Sequence, residues 1–239
     1  MEFSTAEVLL ASLVVGLGAV LQGSIGFGLA LVAAPVLVFL DPRLVPGPLI
    51  LAGLPFMILL AWRERGAVNP SSLGVPLVGQ FGGILLALAF LSSIDGRVLS
   101  IAVALVVLFG VILSISGLHP KANRRNLLLG GILAGFMGTT SSMPGPALAL
   151  IHQHVSPARM RGALAPFFVL GGLVSLVGLV WTGQMERDGM VMGLGLVLPA
   201  LLGLGISSWT APHVKQSVVR PAVLLFASLA ASGLLYRSI

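Results

Sequence analysis

What most constrains this chain is the length of its stretches without a charge. No Asp, Glu, Lys or Arg interrupts Val8 to Leu40, Leu44 to Trp62, Gly66 to Ile94, Val98 to Leu118, Asn126 to Ala158, Gly162 to Met185, Gly189 to Val214 or Pro221 to Tyr236. Most of these runs reach or exceed the ~20 residues with which a helix crosses ~30 Å of hydrocarbon. Hydrophobic residues make up 57% of the chain and charged residues 8%, against roughly 25% charged in an ordinary soluble domain. No soluble core of this size could bury that much apolar surface. An apolar run of such length cannot be the alternating strand of a membrane barrel, and a helix is the other arrangement that satisfies its own backbone in lipid. The expected fold class is an all-α polytopic membrane protein with about eight transmembrane segments.

Short polar clusters separate the runs: Arg63, Glu64 and Arg65, then Lys121, Arg124 and Arg125, then Glu186, Arg187 and Asp188. Loops this short leave no room for a soluble catalytic domain, so whatever the protein does is done among its helices. The net charge of +6 does not point to nucleic acid, because the bases are scattered over loop ends and form no soluble basic face. They read as anchors and topology signals. The absence of cysteine excludes disulfides, thiolate metal sites and cysteine nucleophiles. Met1 to Glu7 carries Glu2 and Glu7 and no base, which is wrong for the first region of a signal peptide. The first apolar run is therefore expected to be retained.

Two of the runs, Val8 to Leu40 and Asn126 to Ala158, have 33 residues each, about 50 Å of helix and too long for one straight crossing. Each has breaking and small polar residues near its middle. In the first these are Gln22, Gly23, Ser24, Gly26 and Gly28; in the second, Gly138 to Ser142, Pro144, Gly145 and Pro146. Each run reads as two short helices around an irregular turn. Sliding the chain by 115 residues superposes Gly16, Ala19, Gly23, Ala34, Pro42, Gly47 and Leu49 on Gly131, Ala134, Gly138, Ala149, Pro157, Gly162 and Leu164. The expected organisation is a first transmembrane repeat over 1–118 and a second over 119–239, each opening with an interrupted helix. If each interrupted run crosses once, the loops holding Arg63, Lys121 and Arg187 share a side, with seven Lys and Arg against six opposite. If the runs instead enter and return, each half has an odd number of crossings and the repeats are inverted.

An irregular turn at membrane depth leaves peptide groups without partners, each costing several kcal/mol unless protein, water or a ligand satisfies it. Such a turn must face a protected cavity. A helix beginning there presents its first N–H groups and the positive end of its dipole, which favour an anion. Gly23, Gly26, Gly28, Gly138 and Gly145 would allow close approach, and Gln22, Ser24, Thr139, Thr140, Ser141 and Ser142 would add neutral donors. Neither turn carries Asp, Glu or Cys, so no resident metal is expected there, and no cofactor. The competing explanation is that these small residues merely let helices pack closely.

His152, Gln153 and His154 follow the second break, but a third metal ligand is missing. The histidines read as hydrogen-bonded neutral groups, and Gln153 as the lining residue of the three. Arg159 and Arg161 lie just beyond, with Arg43 in a similar place in the first half. Arginines there snorkel to the interface; in a functional role Arg161 would attract an anion and pair with its oxygens. Trp62, Trp181, Trp209 and Tyr236 sit at segment ends as interfacial anchors.

The stretch Gln22-Gly23-Ser24-Ile25-Gly26-Phe27-Gly28, followed by Pro35, resembles the first motif of the TauE/SafE sulfite exporters, also called toluene sulfonate uptake permeases. Gly135-Phe136-Met137-Gly138-Thr139-Thr140-Ser141-Ser142-Met143-Pro144-Gly145-Pro146 resembles the second motif. Met160-Arg161-Gly162-Ala163-Leu164 resembles its Arg-x-x-Leu continuation, and Trp181-Thr182-Gly183 the end of the following helix. The likeness spans essentially the whole chain. It implies transport of small sulfur-containing or organic anions, including sulfite, sulfoacetate and other sulfonates, driven by an ion gradient. The chain departs from the pattern at Met143-Pro144, where many members have Gly-Gly, and at Gly28-Leu29; a turn of different shape bears on which anion fits.

The leading expectation is a secondary transporter in the bacterial cytoplasmic membrane, holding a small anion between the interrupted helices. A coupling ion (proton or sodium) and a second copy of the chain are further candidate partners, beside the bilayer. No Asp or Glu stands within the spans to carry a proton, so proton coupling would run through the substrate's own protonation or His152. The alternatives are an intramembrane hydrolase using Ser141 or Ser142 with His152 or His154, for which no carboxylate is at hand to orient the imidazole, and a non-transporting scaffold.

Overall fold

The computed structural model describes residues 4–26, 28–63, 65–67, 74–118, 120–121, 123–151, 157–211, 213 and 216–239, with backbone alone at 67, 149, 151, 157–163 and 216. All regular elements among them are helical: α1 (Thr5–Ile25), α2 (Leu29–Leu40), α3 (Gly47–Arg63), α4 (Gly74–Leu91), α5 (Gly96–Ile115), α6 (Arg124–Ser141), α7 (Gly145–Ile151), α8 (Pro157–Trp181), α9 (Arg187–Gly195), α10 (Val197–Thr210) and α11 (Gln216–Ser238), with short 3-10 turns at Pro42–Leu44 and Arg65–Ala67. Seven spans among the described residues are long and apolar enough to cross a membrane, one fewer than the eight expected. α2 is too short, and α6 opens on Arg124-Arg125-Asn126.

Local chemistry sets the helix ends. α1 starts in a reciprocal capping box, with the Glu7 amide donating to Ser4 Oγ at 3.2 Å and the Ser4 amide to Glu7 Oε2 at 2.8 Å. Asp95 caps α5 and Asn123 caps α6 with one bond each, accepting from the Val98 and Asn126 amides. α1 stops at Gly26, whose φ of 102° only glycine adopts without strain. α6 stops at Ser142 with φ 59°, the one non-glycine positive φ among the described residues.

Contacts between helices fix their directions. α1 and α10 run parallel, since Gly16 faces Pro199 and Gly23 faces Ser207. α3 runs the same way, with Pro48 beside Gly189 and Gly193 near its start and the Arg63 guanidinium donating to Ser208 Oγ at its finish. α1 and α3 thus point in one direction, so α2 is a return limb: Leu29 lies beside Gly18, and the Phe39 carbonyl accepts from Arg237. In the other half α6 runs parallel to α4, with Gly131 against Pro76 and Gly135 against Gln80, and α8 also follows α4, with Gly171 against Gln80 and Gly178 against Leu88. The chain between α6 and α8 must return as well, and Pro144 folds back onto Gly138 to begin α7.

Both interrupted segments therefore enter and turn back, from opposite ends of the bundle. A first end gathers the start of α1, the link from α2 to α3 and the end of α11, where Arg97 donates to the Ser238 carbonyl at 2.7 Å. A second end gathers the finish of α3 and the start of α11, where Arg220 donates to the Ser114 carbonyl at 2.8 Å. The single-crossing arrangement, in which Arg63 and Arg187 share a side, does not occur: Arg63 closes α3 at the second end, and Arg187 opens α9 at the first.

Helix partners exchange in pairs. α1 lies on α10 as α6 lies on α4, α2 meets α11 as α7 meets α5, and α3 meets α10 as α8 meets α4. Three of the glycines that superposed at a spacing of 115 residues sit in these seams. Gly16 and Gly23 face α10, and Gly131 faces α4, where Gly79 and Gly83 meet α6 backbone in return. Small residues let helices approach closely without needing hydrophobic drive, which lipid does not supply. The outer surface is apolar, with Leu9, Leu85, Leu198 and Leu229 among the exposed side chains, and Trp62, Trp181, Trp209 and Tyr236 are exposed near helix ends.

Candidate functional site

The tips of the two hairpins meet on one partly open cavity of about 70 Å³, walled further by α3, α4 and α8. Gln22 and Gly28 to Leu31 come from the first tip, and Gly138 and Ser142 to Pro146 from the second. Among the described residues its wall carries no Asp, Glu, Lys, Arg or His. Fixed dipoles and hydrogen-bonding groups set its polarity.

Gln22 builds the first tip. Gly28, with φ 141°, precedes α2 and offers no side chain to cap it. The Gln22 carbonyl, one turn before the end of α1, does so instead, accepting from the Leu29 amide at 2.8 Å, while its Nε2 lies 3.5 Å from Met57 sulfur. The amides of Ala30 and Leu31, also on the wall, have no partner among the described residues. They are the orphan donors every helix start leaves, and they bring the positive end of the α2 dipole to the cavity.

Ser142 builds the second tip. Its left-handed backbone ends α6, and its Oγ donates to the Pro46 carbonyl at 3.0 Å, tying the tip to the start of α3. Gly138 gives Pro144 room to fold back, and Gly145 opens α7. Ser175 of α8, also on the wall, is 2.7 Å from Thr139 Oγ1.

The other sequence candidates face elsewhere. Gly23 packs on Ser207, and Ser24 Oγ donates to the Val20 carbonyl and lies 3.3 Å from Thr210 Oγ1. Gly26 ends α1. Thr139 turns to Ser175, Thr140 Oγ1 is buried without a partner among the described residues, and Ser141 Oγ donates back to the Met137 carbonyl at 2.8 Å. Arg43 pairs with Asp41 at 2.6 Å at the first end of the bundle. Arg159 and Arg161 fall in the first turns of α8, with side chains outside the described residues, and His152, Gln153 and His154 lie outside them altogether.

The sulfite exporter TauE/SafE family matches residues 9–234, nearly the whole chain. The chain belongs to that family. TauE/SafE proteins are transporters and not enzymes, so the hydrolase alternative drops out. Neither the curated proteins nor the solved structures include a match. In this TauE/SafE protein, sequence reasoning missed Gln80 and Ser175 on the cavity wall. A signal existed for both. Gln80 is the lone polar side chain between Gly74 and Leu91, and Ser175 the lone one between Ala165 and Trp181; isolated polar groups in membrane helices are costly and mark function.

Proposed function

We propose that the chain is a secondary transporter of small sulfur-containing oxyanions, sulfite foremost, and that the anion occupies the cavity between the two hairpin tips. One observation carries this reading: two helix breaks, distant in sequence and entering from opposite ends, wall the same cavity. The Ala30 and Leu31 amides and the α2 dipole favour negative charge, Gln22 holds that helix start in position, and Gly28, Gly138, Ser142 and Gly145 shape the turns. A cavity of about 70 Å³ has room for only a few waters, which suits sulfite better than sulfoacetate or larger sulfonates. Gln153 and Arg161 remain candidates for guiding the anion inward.

The reading extends to two inverted repeats, 1–118 and 119–239, each a hairpin followed by three crossings. Exchange of packing partners between the halves supports it. With the hairpins re-entrant, Arg63, Arg65, Lys121, Arg124, Arg125, Arg159, Arg161 and Arg220 gather at the second end and Arg43, Arg97, Arg187 and Arg237 at the first, eight against four. By the positive-inside rule the second end is cytoplasmic, in the cytoplasmic membrane of a bacterium.

Gly53 supplies the test. It lines the cavity, and a Cβ there would meet nothing within 4 Å, so Gly53→Leu fills the space without forcing backbone apart. Sulfite flux into proteoliposomes should be abolished in Gly53→Leu and retained in Gly82→Leu, whose side chain would also enter open space, outside the cavity wall. Wild-type flux in Gly53→Leu would refute the site.

A further inference from the structure

Gln80 sits near the middle of α4, only 3% exposed. Its Nε2 donates to the Phe167 carbonyl at 3.0 Å, and its Oε1 has no hydrogen-bond partner among the described residues. The amide cannot be turned around, because a carbonyl only accepts and reversal would set two acceptors together. The backbone makes room for this arrangement: a Cβ on Gly171 would lie 2.0 Å from Gln80 Nε2. A buried acceptor left without a donor is destabilising, and inside a membrane no bulk water relieves it. Leu or Met would fill the same volume without that cost. Gln80 is a residue of the cavity wall, and what it adds beyond volume is an empty acceptor.

We infer that Gln80 Oε1 accepts a hydrogen bond from the anion itself, so that the species carried is a proton-bearing monoanion, hydrogen sulfite and not the sulfite dianion. This rests on the transport reading above and specifies the form of its substrate. The unprotonated oxygens face the Ala30 and Leu31 amides, which donate and cannot accept. The protonated oxygen needs the opposite partner, and Gln80 is the wall side chain with an unused acceptor. A dianion would bring lone pairs against the Gln80 carbonyl and gain nothing from it. The proton then travels on the substrate, which removes the need for a titratable group in a wall that has none among the described residues. Oε1 is closed off from a water-sized sphere in this conformation, so the proposed bond requires the cavity to widen at the Gln80–Gly171 contact.

The test is sulfite flux in proteoliposomes with the same pH on both sides, over a pH series spanning the second ionisation of sulfurous acid, with protein-free liposomes subtracted. In the wild type the apparent KM for total sulfite should rise about tenfold per pH unit above that ionisation, and stay constant when expressed as hydrogen sulfite. Gln80→Met, which keeps the volume and removes the acceptor, should reduce the preference for the monoanion about tenfold. A wild-type KM that is flat in total sulfite, or that follows the dianion, would overturn the inference, as would an unchanged profile in Gln80→Met. The wild-type profile decides the matter even if the variant does not fold. Absence of any flux above the protein-free control would instead sink the transport reading on which the inference stands.

Discussion

Replacing Gly83 by alanine should push α4 and α6 apart, while the same change one residue earlier should not. A Cβ on Gly83 would lie 2.0 Å from the Ile132 carbonyl oxygen and 2.8 Å from the Phe136 amide nitrogen. Both are helix backbone and cannot swing aside. Comfortable contacts of this kind need about 3.5 Å, so the helices must separate by on the order of 1 Å. The separation runs along a seam in which Gly79, Gly131 and Gly135 are equally tight against backbone. Overfilling a packed interface by one methyl costs about 1–3 kcal/mol or more. Gly82 meets nothing within 4 Å, and there alanine gains up to about 1 kcal/mol of helix propensity. At about 2–4 °C per kcal/mol for a chain of this size, Gly83→Ala should melt on the order of 5 °C below Gly82→Ala. The assay is heating of the detergent-solubilised protein followed by size-exclusion recovery. Because α4 carries Gln80 and α6 carries Gly138 and leads into Ser142, Gly83→Ala should also lower sulfite flux. Equal melting of the two variants would refute the backbone-to-backbone account of this seam.

Gln22→Leu should lower the melting temperature by an amount corresponding to about 1 kcal/mol, the usual worth of a helix cap, whereas Gln22→Glu keeps an acceptor for the Leu29 amide and should instead lose anion flux to charge repulsion; flux loss with the cap intact separates the two roles. Ser142→Gly should melt above Ser142→Ala by about 1 kcal/mol, because both lose the bond to Pro46 and only glycine relieves the left-handed backbone; equal melting would refute the strain. Burial raises the Asp41 carboxyl, but hydrogen bonds and charge from Arg43 outweigh this and hold it below its usual 3.8. The pair therefore stabilises at neutral pH and loses its contribution as pH falls through that lowered value; Asp41→Asn should melt below the wild type at pH 7, with the gap closing only in strong acid. Since the chain has no cysteine, Ser4→Cys and Ser93→Cys should both react with an impermeant maleimide on intact cells, and Ser116→Cys only after permeabilisation; labelling of Ser4→Cys and Ser93→Cys from opposite sides would refute the re-entrant first hairpin.

How much was legible in the sequence depends on whether a residue acts through its neighbours in the chain or across the bundle. Charge-free runs dictated helices, because hydrocarbon offers the backbone no partner outside the helix. Gly26, Gly28 and the cluster around Ser142 likewise announced the two breaks, since turns need those backbone conformations locally. Direction after a break is not local: a glycine turn permits crossing or return, and packing of α1 on α10 and of α6 on α4 chose return. That choice also changed the distribution of bases from seven against six to eight against four among the described residues. Small polar residues were read together as a site, yet Gly23, Ser24 and Thr139 turn to neighbouring helices and Ser141 bonds back to its own, because adjacent positions on a helix face different directions. Gln80 entered the cavity wall from another span entirely. Sequence alone determined that this chain lives in a membrane as interrupted helices; only the tertiary packing decided which side chains the breaks bring together, since that depends on helix direction and rotation, which no single helix specifies.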